Sequence, residues 1–238
     1  MSDHVTSRMT VQERIDSVAR GDNLWVIPPA LPAATVVILR PHEDMYSAFD
    51  VAMLRRAATM EFAPHMAVFP GGKVDSVDHA FADPILACAI REVREEVDIH
   101  MVELTRWDHW ITPEIESMRY DVHFFLGVVP SGTSGNLCTT EAVEMLWTTP
   151  QEGLRRAQDG SLPMLHPTQF VLQELAAASG VGELIQLAEQ RTIFPRLPRP
   201  ALNEDRTIRW DLFNADTLEV VNRGVTKARM ETSGEEIA

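Results

Sequence analysis

The sequence predicts an α/β or α+β fold in which helices pack against a mixed sheet. Three observations support this prediction. Short runs of β-branched residues come before and after one well-marked amphipathic helix, two further helical segments follow, and the last part of the chain has the pattern of a β-hairpin. The order of these elements differs from the regular βαβα alternation of a doubly wound sheet.

Three strands are predicted before the helix. Residues 34–39 are rich in Val, Ile and Thr and stop just before a proline, which indicates a buried strand. Residues 49–55 alternate in polarity, as expected of a second strand. A short third strand over 66–68 leads into Gly71 and Gly72, which can adopt positive φ or let a ligand approach the backbone.

The helix is predicted to begin at Asp83, whose side chain can cap the first turn, with Pro84 at the first helical position. Apolar residues then recur at three- and four-residue spacing: Ile85, Leu86, Ala89, Ile90, Val93 and Val97. This spacing places one apolar stripe toward the core and leaves the opposite side to polar residues.

The remaining elements follow the helix. Strands are predicted over 122–129 and 143–147, and a hairpin over 207–213 and 218–221. Helices are predicted over 150–159 and 168–178, each followed by a glycine stop at Gly160 and Gly180. Residues 195–200, rich in Pro and Arg, are interpreted as a connector.

Composition limits the organisation and the class of protein. For 238 residues without an internal repeat, we expect an N-terminal arm (1–22), one domain (23–225) and a C-terminal tail (226–238). The 35 acidic and 21 basic residues give a net charge of -14, which disfavours a nucleic-acid-binding protein. Apolar runs are much shorter than a membrane span and the ends show no targeting signal, so we expect a cytoplasmic location. Cys88 and Cys138 fit neither a disulfide framework nor a zinc motif.

Three carboxylates share the side of the helix that lies opposite the apolar stripe. At about 100° per residue, Glu92, Glu95 and Glu96 fall within one sector, where their mutual repulsion costs a few tenths of a kcal/mol per pair. A hard divalent cation would turn this repulsion into attraction. Arg91, four residues before Glu95, could hold that carboxylate with its fork of donors. The alternative for acidic residues alone is a solvated helix face.

Residues 91–99, Arg-Glu-Val-Arg-Glu-Glu-Val-Asp-Ile, resemble the Nudix box, whose pattern is G-x5-E-x7-R-E-U-x-E-E-x-G-U with U aliphatic. The fitting positions are Arg91, Glu92, Val93, Glu95, Glu96 and Ile99. Asp98 stands where the family has glycine, and Asp83 stands where it has its first glutamate. Strict spacing would put the upstream glycine at Val77, so the actual Gly71 and Gly72 imply about five inserted residues before the helix.

Two flanking segments extend the resemblance: Phe-Pro-Gly-Gly-Lys at 69–73, and Glu141-x-x-Glu144-x-x-Trp147. The resemblance implies a Nudix α/β/α sandwich with a mixed sheet, here with additional C-terminal helices and a hairpin. It also implies a pyrophosphohydrolase that uses Mg²⁺ or Mn²⁺ to cleave a nucleoside diphosphate linked to another moiety.

The resemblance also implies roles for individual residues. The metal ligands would be Glu92, Glu95 and Glu96, with Arg91 orienting them and Glu95 taking part in catalysis. Glu141 is a candidate base or outer metal ligand, the alternative being a surface glutamate. The candidate substrate-binding residues are Gly71, Gly72, Arg55 and Trp110. Trp110 belongs to Arg106-Trp-Asp-His-Trp110, which could stack on a nucleobase or serve in packing.

Segments at 67–75, 110–113, 119–125 and 166–168 resemble the coenzyme A diphosphatases of the peroxisomal-mitochondrial type and their bacterial relatives. In the upstream signature of that branch, His65 occupies the glycine position. This likeness implies cleavage of coenzyme A or acyl-coenzyme A to 3′,5′-ADP and a 4′-phosphopantetheine. An apolar channel for the pantetheine or acyl arm could come from residues 74–82 and 162–175.

Two alternatives to the coenzyme A substrate stay open: an ADP-ribose or NADH pyrophosphatase, and a Nudix-fold binding or regulatory module without catalysis. The expected partner is a small nucleotide-type molecule, with a homodimer as an option. Neither nucleic acid nor a membrane is expected to bind.

Overall fold

The computed structural model describes residues 9–22, 24–43, 45–101 and 103–223. Its contacts divide the chain into two compact units. The larger unit contains residues 33–107 and 123–192, and the smaller unit contains the described residues up to 32, residues 108–122 and those from 193 onward. The predicted C-terminal tail from 226 lies outside the described residues.

Two long antiparallel strands, β1 (Ala30–His42) and β2 (Met45–Arg56), organise the sheet of the larger unit. β2 also pairs antiparallel with β3 (Ala67–Val68) and with β7 (Ala142–Thr148). β4 (Gly71–Lys73) pairs with the start of β1, where Ala34 lies opposite Gly72. Strands β5 (Thr105–Ile111) and β6 (Arg119–Val128) contribute residues to both units. The predicted strands at 34–39, 49–55, 122–129 and 143–147 are confirmed, and β5 is an addition.

The helix predicted from Asp83 is confirmed as α2 (Pro84–Val97). The Asp83 side chain caps it by accepting the Leu86 N–H at 3.1 Å. Its apolar stripe joins one buried cluster with alternate residues of β1 and β2: Val36, Ile38, Ala52, Leu54, Cys88, Ala89, Val93 and Val97. The helix therefore covers one face of the sheet.

Three further helices complete the larger unit: α3 (Pro150–Gln158), α4 (His166–Ala177) and α5 (Val181–Gln190). α3 packs on α4, and α5 packs on β2. Val51 and Met53 of β2 are fully buried although strand alternation turns them away from α2, so a second layer covers that face. The α/β fold is confirmed as helices on both faces of a mixed sheet; α5 was not among the predicted helices.

The smaller unit corrects two sequence interpretations. The N-terminal arm contains helix α1 (Val11–Arg20), which begins with a reciprocal capping box between Thr10 and Glu13. The predicted connector at 195–200 belongs instead to strand β8 (Arg196–Leu202). Pro198 and Pro200 are two residues apart, so both missing N–H groups fall on the same edge of the strand and the other edge keeps its donors.

The hairpin predicted near the C-terminus is confirmed as β9 (Ile208–Asn214) and β10 (Val220–Asn222). β9 also pairs antiparallel with β8. Within the described residues, no helix is long and apolar enough to cross a membrane.

Candidate functional site

The two glycines of β4 lie directly against β1 and the acidic side of α2. A Cβ on Gly72 would come within 2.9 Å of both carboxylate oxygens of Glu92. A Cβ on Gly71 would come within 2.8 Å of both Ala34 O and Thr35 Cβ. At Gly71 a Cβ would meet backbone atoms, so only glycine fits there, whereas at Gly72 it would meet the flexible end of Glu92, which would have to move.

The Gly71 backbone also binds the helix. Its N–H donates to Glu96 Oε2 at 2.8 Å. Glu96 is only 7% exposed, although it is a carboxylate on the polar side of α2. β4, which we call the glycine strand, thus buries an acidic side chain that sequence spacing alone places toward solvent.

Arg91 links the carboxylates of the helix. Its Nη1 donates to Glu92 Oε1 at 2.8 Å and to Glu95 Oε2 at 3.0 Å. The predicted contact between Arg91 and Glu95 across one helical turn is therefore present. The guanidinium holds two of the three carboxylates while the Gly71 N–H holds the third.

A residue that sequence reasoning missed, Asp78, fixes the other edge of Arg91. The Asp78 carboxylate accepts Arg91 Nε at 3.0 Å and Nη2 at 2.8 Å in a bidentate pair. It is buried in a 3₁₀ turn (Asp78–Ala80) and also accepts the Asp75 N–H at 2.8 Å. A signal was present, since Gly72-x5-Asp78 has the family spacing with Asp in place of Glu. The additional residues therefore lie between Asp78 and α2.

Asp83, which strict Nudix spacing places at the position of the first glutamate, supports the start of α2. Besides capping α2, it accepts Arg106 Nη2 at 2.7 Å.

Asp98, the departure from the family glycine, ends α2 in the left-handed conformation with φ of 54°. Asp and Asn are the non-glycine residues that adopt this conformation most readily, so the substitution keeps the helix end that glycine would give.

Burial and negative charge perturb the carboxylates of the site. Burial raises the pKa of Glu96 to about 8, and the charges of Glu92 and Glu141 add to this, while the Gly71 N–H and Arg56 oppose it. Burial is also the main cause that raises the pKa of Glu92; Arg91 opposes it. Burial therefore favours the protonated forms of Glu92 and Glu96 over their carboxylates.

Glu141 lies on the loop before β7, where its backbone oxygen accepts the Ala57 N–H at 2.8 Å. Its side chain is exposed and its charge acts on both Glu92 and Glu96. Among the described residues, the carboxylate oxygens of Glu92, Glu95 and Glu96 do not all lie within 4.8 Å of one another. Arg91 and Gly71 hold them in separate hydrogen bonds.

The structure separates the two adjacent arginines of β2. Arg55 forms a cross-strand ion pair with Glu144, with Nη2 and Oε2 3.1 Å apart. Arg56 donates from Nε to Phe62 O at 3.1 Å, and it is the arginine whose charge acts on Glu96. The substrate-binding role of Arg55 stays a prediction, and Arg56 is the arginine nearer in charge to Glu96.

Trp110 is a correction to the predicted substrate-binding residues. Its side chain is 2% exposed in the smaller unit, and its indole N–H donates to Asp108 Oδ2 at 2.8 Å. A ring buried in this way offers no open face to a nucleobase, so the packing alternative applies. Trp107 is also buried, with the Arg191 guanidinium 4.1 Å from its ring centre.

Comparison with known proteins places these features in a family. The family model described as NUDIX domain matches residues 29–166, more than half of the chain. A Caenorhabditis elegans protein named "Putative nudix hydrolase 7" is 27% identical over 163 residues, which cover 53% of this chain and 55% of that protein. The chain thus spans about half the length of this curated relative.

Among solved structures, a NUDIX hydrolase from Alicyclobacillus acidocaldarius is similar with a TM-score of 0.61 and 24% identity. The match covers 71% of this chain and 100% of that one, and it supports the fold. The residues matched by the family model include β4 and α2. The chain belongs to the NUDIX domain family.

Proposed function

We propose that this chain is a pyrophosphohydrolase that uses Mg²⁺ or Mn²⁺ to cleave a nucleoside diphosphate linked to another moiety. One arrangement supports this above all. The backbone of β4 contacts the carboxylates of Glu92 and Glu96, and Arg91 is hydrogen-bonded both to Asp78 and to the carboxylates of the helix. A merely solvated helix face would have no reason to bury Glu96 against the β4 backbone.

The residues present fit a divalent cation. Glu92, Glu95 and Glu96 supply only oxygen donors, which Mg²⁺ and Mn²⁺ prefer. Burial disfavours the ionised forms of Glu92 and Glu96, and a bound cation would favour them. The ion would supply charge neutralisation for the pyrophosphate and would acidify an attacking water.

The chain's own residues do the remaining work. Arg91 fixes the orientation of Glu92 and Glu95 through its two hydrogen bonds, while Asp78 prevents the guanidinium from turning away. Gly72, which has no Cβ, leaves room for the Glu92 carboxylate against the β4 backbone. Glu95, whose side chain is 58% exposed, and Glu141 are the carboxylates open to substrate and water. We assign to Glu141 the role of proton acceptor or outer metal ligand.

We infer that Arg56 contacts the anionic substrate, because its positive charge reaches the site while Arg55 is paired elsewhere. Arg56→Ala is expected to raise KM by about tenfold or more, since a hydrogen bond to a charged group contributes roughly 1.5–3 kcal/mol. Arg55→Ala on the same strand is the matched control and should leave KM unchanged. Equal effects of the two variants on KM would contradict this assignment.

Coenzyme A or an acyl-coenzyme A is the substrate that we favour. The inserted segment carries Val77, 59% exposed, and Phe81, 64% exposed, on either side of the turn that holds Arg91. This apolar surface beside the site suits a pantetheine or acyl arm, whereas ADP-ribose would need a polar sugar pocket. The segment 162–175 gives less support than expected, because Leu162 and Leu172 are fully buried.

A substrate panel tests the proposal. Coenzyme A, acetyl and longer acyl esters, ADP-ribose and NADH are incubated with the chain and Mg²⁺ or Mn²⁺, and products are identified by mass. We expect the fastest cleavage for a coenzyme A species, giving 3′,5′-ADP. Faster cleavage of ADP-ribose or NADH than of every coenzyme A species would overturn the choice of substrate and would leave the pyrophosphohydrolase activity standing.

The competing hypothesis is a NUDIX-fold binding module without catalysis. Asp98 motivates it, but the left-handed helix end at Asp98 removes the expected distortion. Calorimetric titration with Mn²⁺ separates the two hypotheses. Binding that disappears in Glu92→Gln supports the enzyme, and absence of binding even with nucleotide present supports the module.

A further inference from the structure

The loop between β6 and β7 is fastened by its backbone to the last turn of α2. The Asn136 N–H donates to Val97 O, and the Cys138 N–H donates to Glu96 O, each at 2.8 Å. The last carbonyls of a helix lack partners within the helix, so these two bonds satisfy groups that would otherwise need water. One of the two carbonyls belongs to Glu96 itself.

Gly135 is the point of closest fit. Its φ is +70°, and a Cβ there would lie 2.8 Å from Met145 Cε and 3.1 Å from Val97 O. Gly132 in the same loop has a φ of +78°, but a Cβ there would meet nothing within 4 Å. The two glycines thus share a backbone requirement, and only Gly135 is packed against the helix end.

We use the term loop clamp for the contact of Gly135, Asn136 and Cys138 with the end of α2. A side-chain bond adds to it, since Asn136 Nδ2 donates to Asp98 Oδ2 at 3.3 Å. The left-handed backbone of Asp98 presents the carboxylate at this point, a contact that the glycine usual in the family could not make.

The same loop continues to Glu141. Only Thr139 and Thr140 lie between it and Cys138, a span of about 10 Å at most. Its N–H donates to Thr139 Oγ1 at 3.1 Å, and its backbone oxygen accepts the N–H of Ala57, the residue that follows β2. The segment that carries Glu141 is therefore short and fixed at both ends.

We propose that the loop clamp positions Glu141. It holds that carboxylate beside the acidic side of α2, and Glu141 acts only while the loop contacts the end of the helix. This inference rests on the proposed function, in which Glu141 accepts a proton or serves as an outer metal ligand. Gly135, Asn136 and Cys138 act through Glu141 and contact no reacting atom.

A double-mutant cycle tests the clamp. Gly135→Ala, Glu141→Gln and the double variant are compared for kcat, for KM and for Mn²⁺ affinity, with Gly132→Ala as matched control. Loss of a general base lowers kcat by roughly 10²–10⁴-fold, so we expect Glu141→Gln to lower the parent kcat by about 100-fold. In the Gly135→Ala background the same change should lower kcat by less than about threefold, with KM unchanged. Gly132→Ala should keep the parent values and the full effect of Glu141→Gln.

Equal effects of Glu141→Gln in the two backgrounds would overturn the proposal, because the clamp would then support the fold alone. Should the parent hydrolyse nothing in the panel, the proposed function fails, and the Mn²⁺ titrations decide on the clamp. Non-additive losses of Mn²⁺ affinity support it, and additive losses overturn it. Asn136→Ala, which removes only the side-chain bond to Asp98, replaces Gly135→Ala in the cycle if that variant does not fold.

Discussion

The burial of Glu96 gives a stability prediction that is independent of catalysis. In Glu96→Gln, the amide oxygen can still accept the Gly71 N–H that Glu96 Oε2 accepts at 2.8 Å, but the side chain carries no charge. The substitution therefore changes the ionisation of the site with little change of shape. We expect the metal-free variant to be more stable than the parent at neutral pH.

The magnitude follows from the pKa of Glu96, which burial raises from 4.5 to about 8. The folded parent keeps its proton to a higher pH than the unfolded chain does. The proton on Glu96 therefore makes its full contribution to the stability of the folded parent below about pH 4.5, and this contribution is lost as the pH rises through about 8. With about 1.4 kcal/mol per pKa unit, the parent loses on the order of 3 kcal/mol relative to Glu96→Gln by pH 7.

Urea unfolding in the presence of EDTA measures this difference. At pH 5.5 the variant should exceed the parent by about 1 kcal/mol, and at pH 7 by about 3 kcal/mol. Mg²⁺ or Mn²⁺ should then reduce the gap at pH 7, because an ion that binds the ionised carboxylate stabilises the parent selectively. A gap that does not change with pH, or a variant less stable than the parent at pH 7, would refute the reasoning.

The remaining stability and activity predictions concern the contacts around Arg91 and the glycine strand. Asp78→Asn should lower the free energy of unfolding by about 2 kcal/mol and kcat by more than tenfold, because it leaves Arg91 without its buried carboxylate; unchanged kcat and stability would contradict this role. Gly72→Ala should lower turnover with a small loss of stability, since only the mobile end of Glu92 stands in its way, whereas Gly71→Ala should lower the unfolding midpoint more, since it meets backbone. Chemical unfolding and steady-state assays of the two variants check the order, and a larger stability loss in Gly72→Ala would contradict it.

Elements with local signals were the ones that the sequence could predict. The start of α2 depends on Asp83 and Pro84, and its buried face follows from apolar spacing, so neighbouring residues contain the information. β8 escaped prediction because Pro198 and Pro200 oppose strand propensity, and only the alternation of their missing N–H groups makes the strand acceptable.

The site was predicted as far as it lies on one helix. Arg91 and the three glutamates were found because helical spacing brings them together. Asp78 was missed because its contact with Arg91 spans 13 residues and depends on the path of the inserted turn. Arg55 pairs with Glu144 whereas Arg56 binds the Phe62 backbone, because the pairing of β2 with β7 shifts register between the two arginines. Interactions set by chain path or by sheet register leave no periodic trace in the sequence.

We propose that the carboxylates of α2 support the metal-dependent cleavage of a pyrophosphate. The turnover of coenzyme A and of the other panel substrates by the parent and by Glu95→Gln, with Mn²⁺ and with EDTA, tests this role. Glu95 is exposed and, among the described residues, is hydrogen-bonded by Arg91 alone, so its neutralisation should leave the fold intact. We predict cleavage by the parent with Mn²⁺, none with EDTA, and a loss of at least about 100-fold in Glu95→Gln. Comparable turnover in variant and parent, or turnover that is indifferent to EDTA, would contradict the claim.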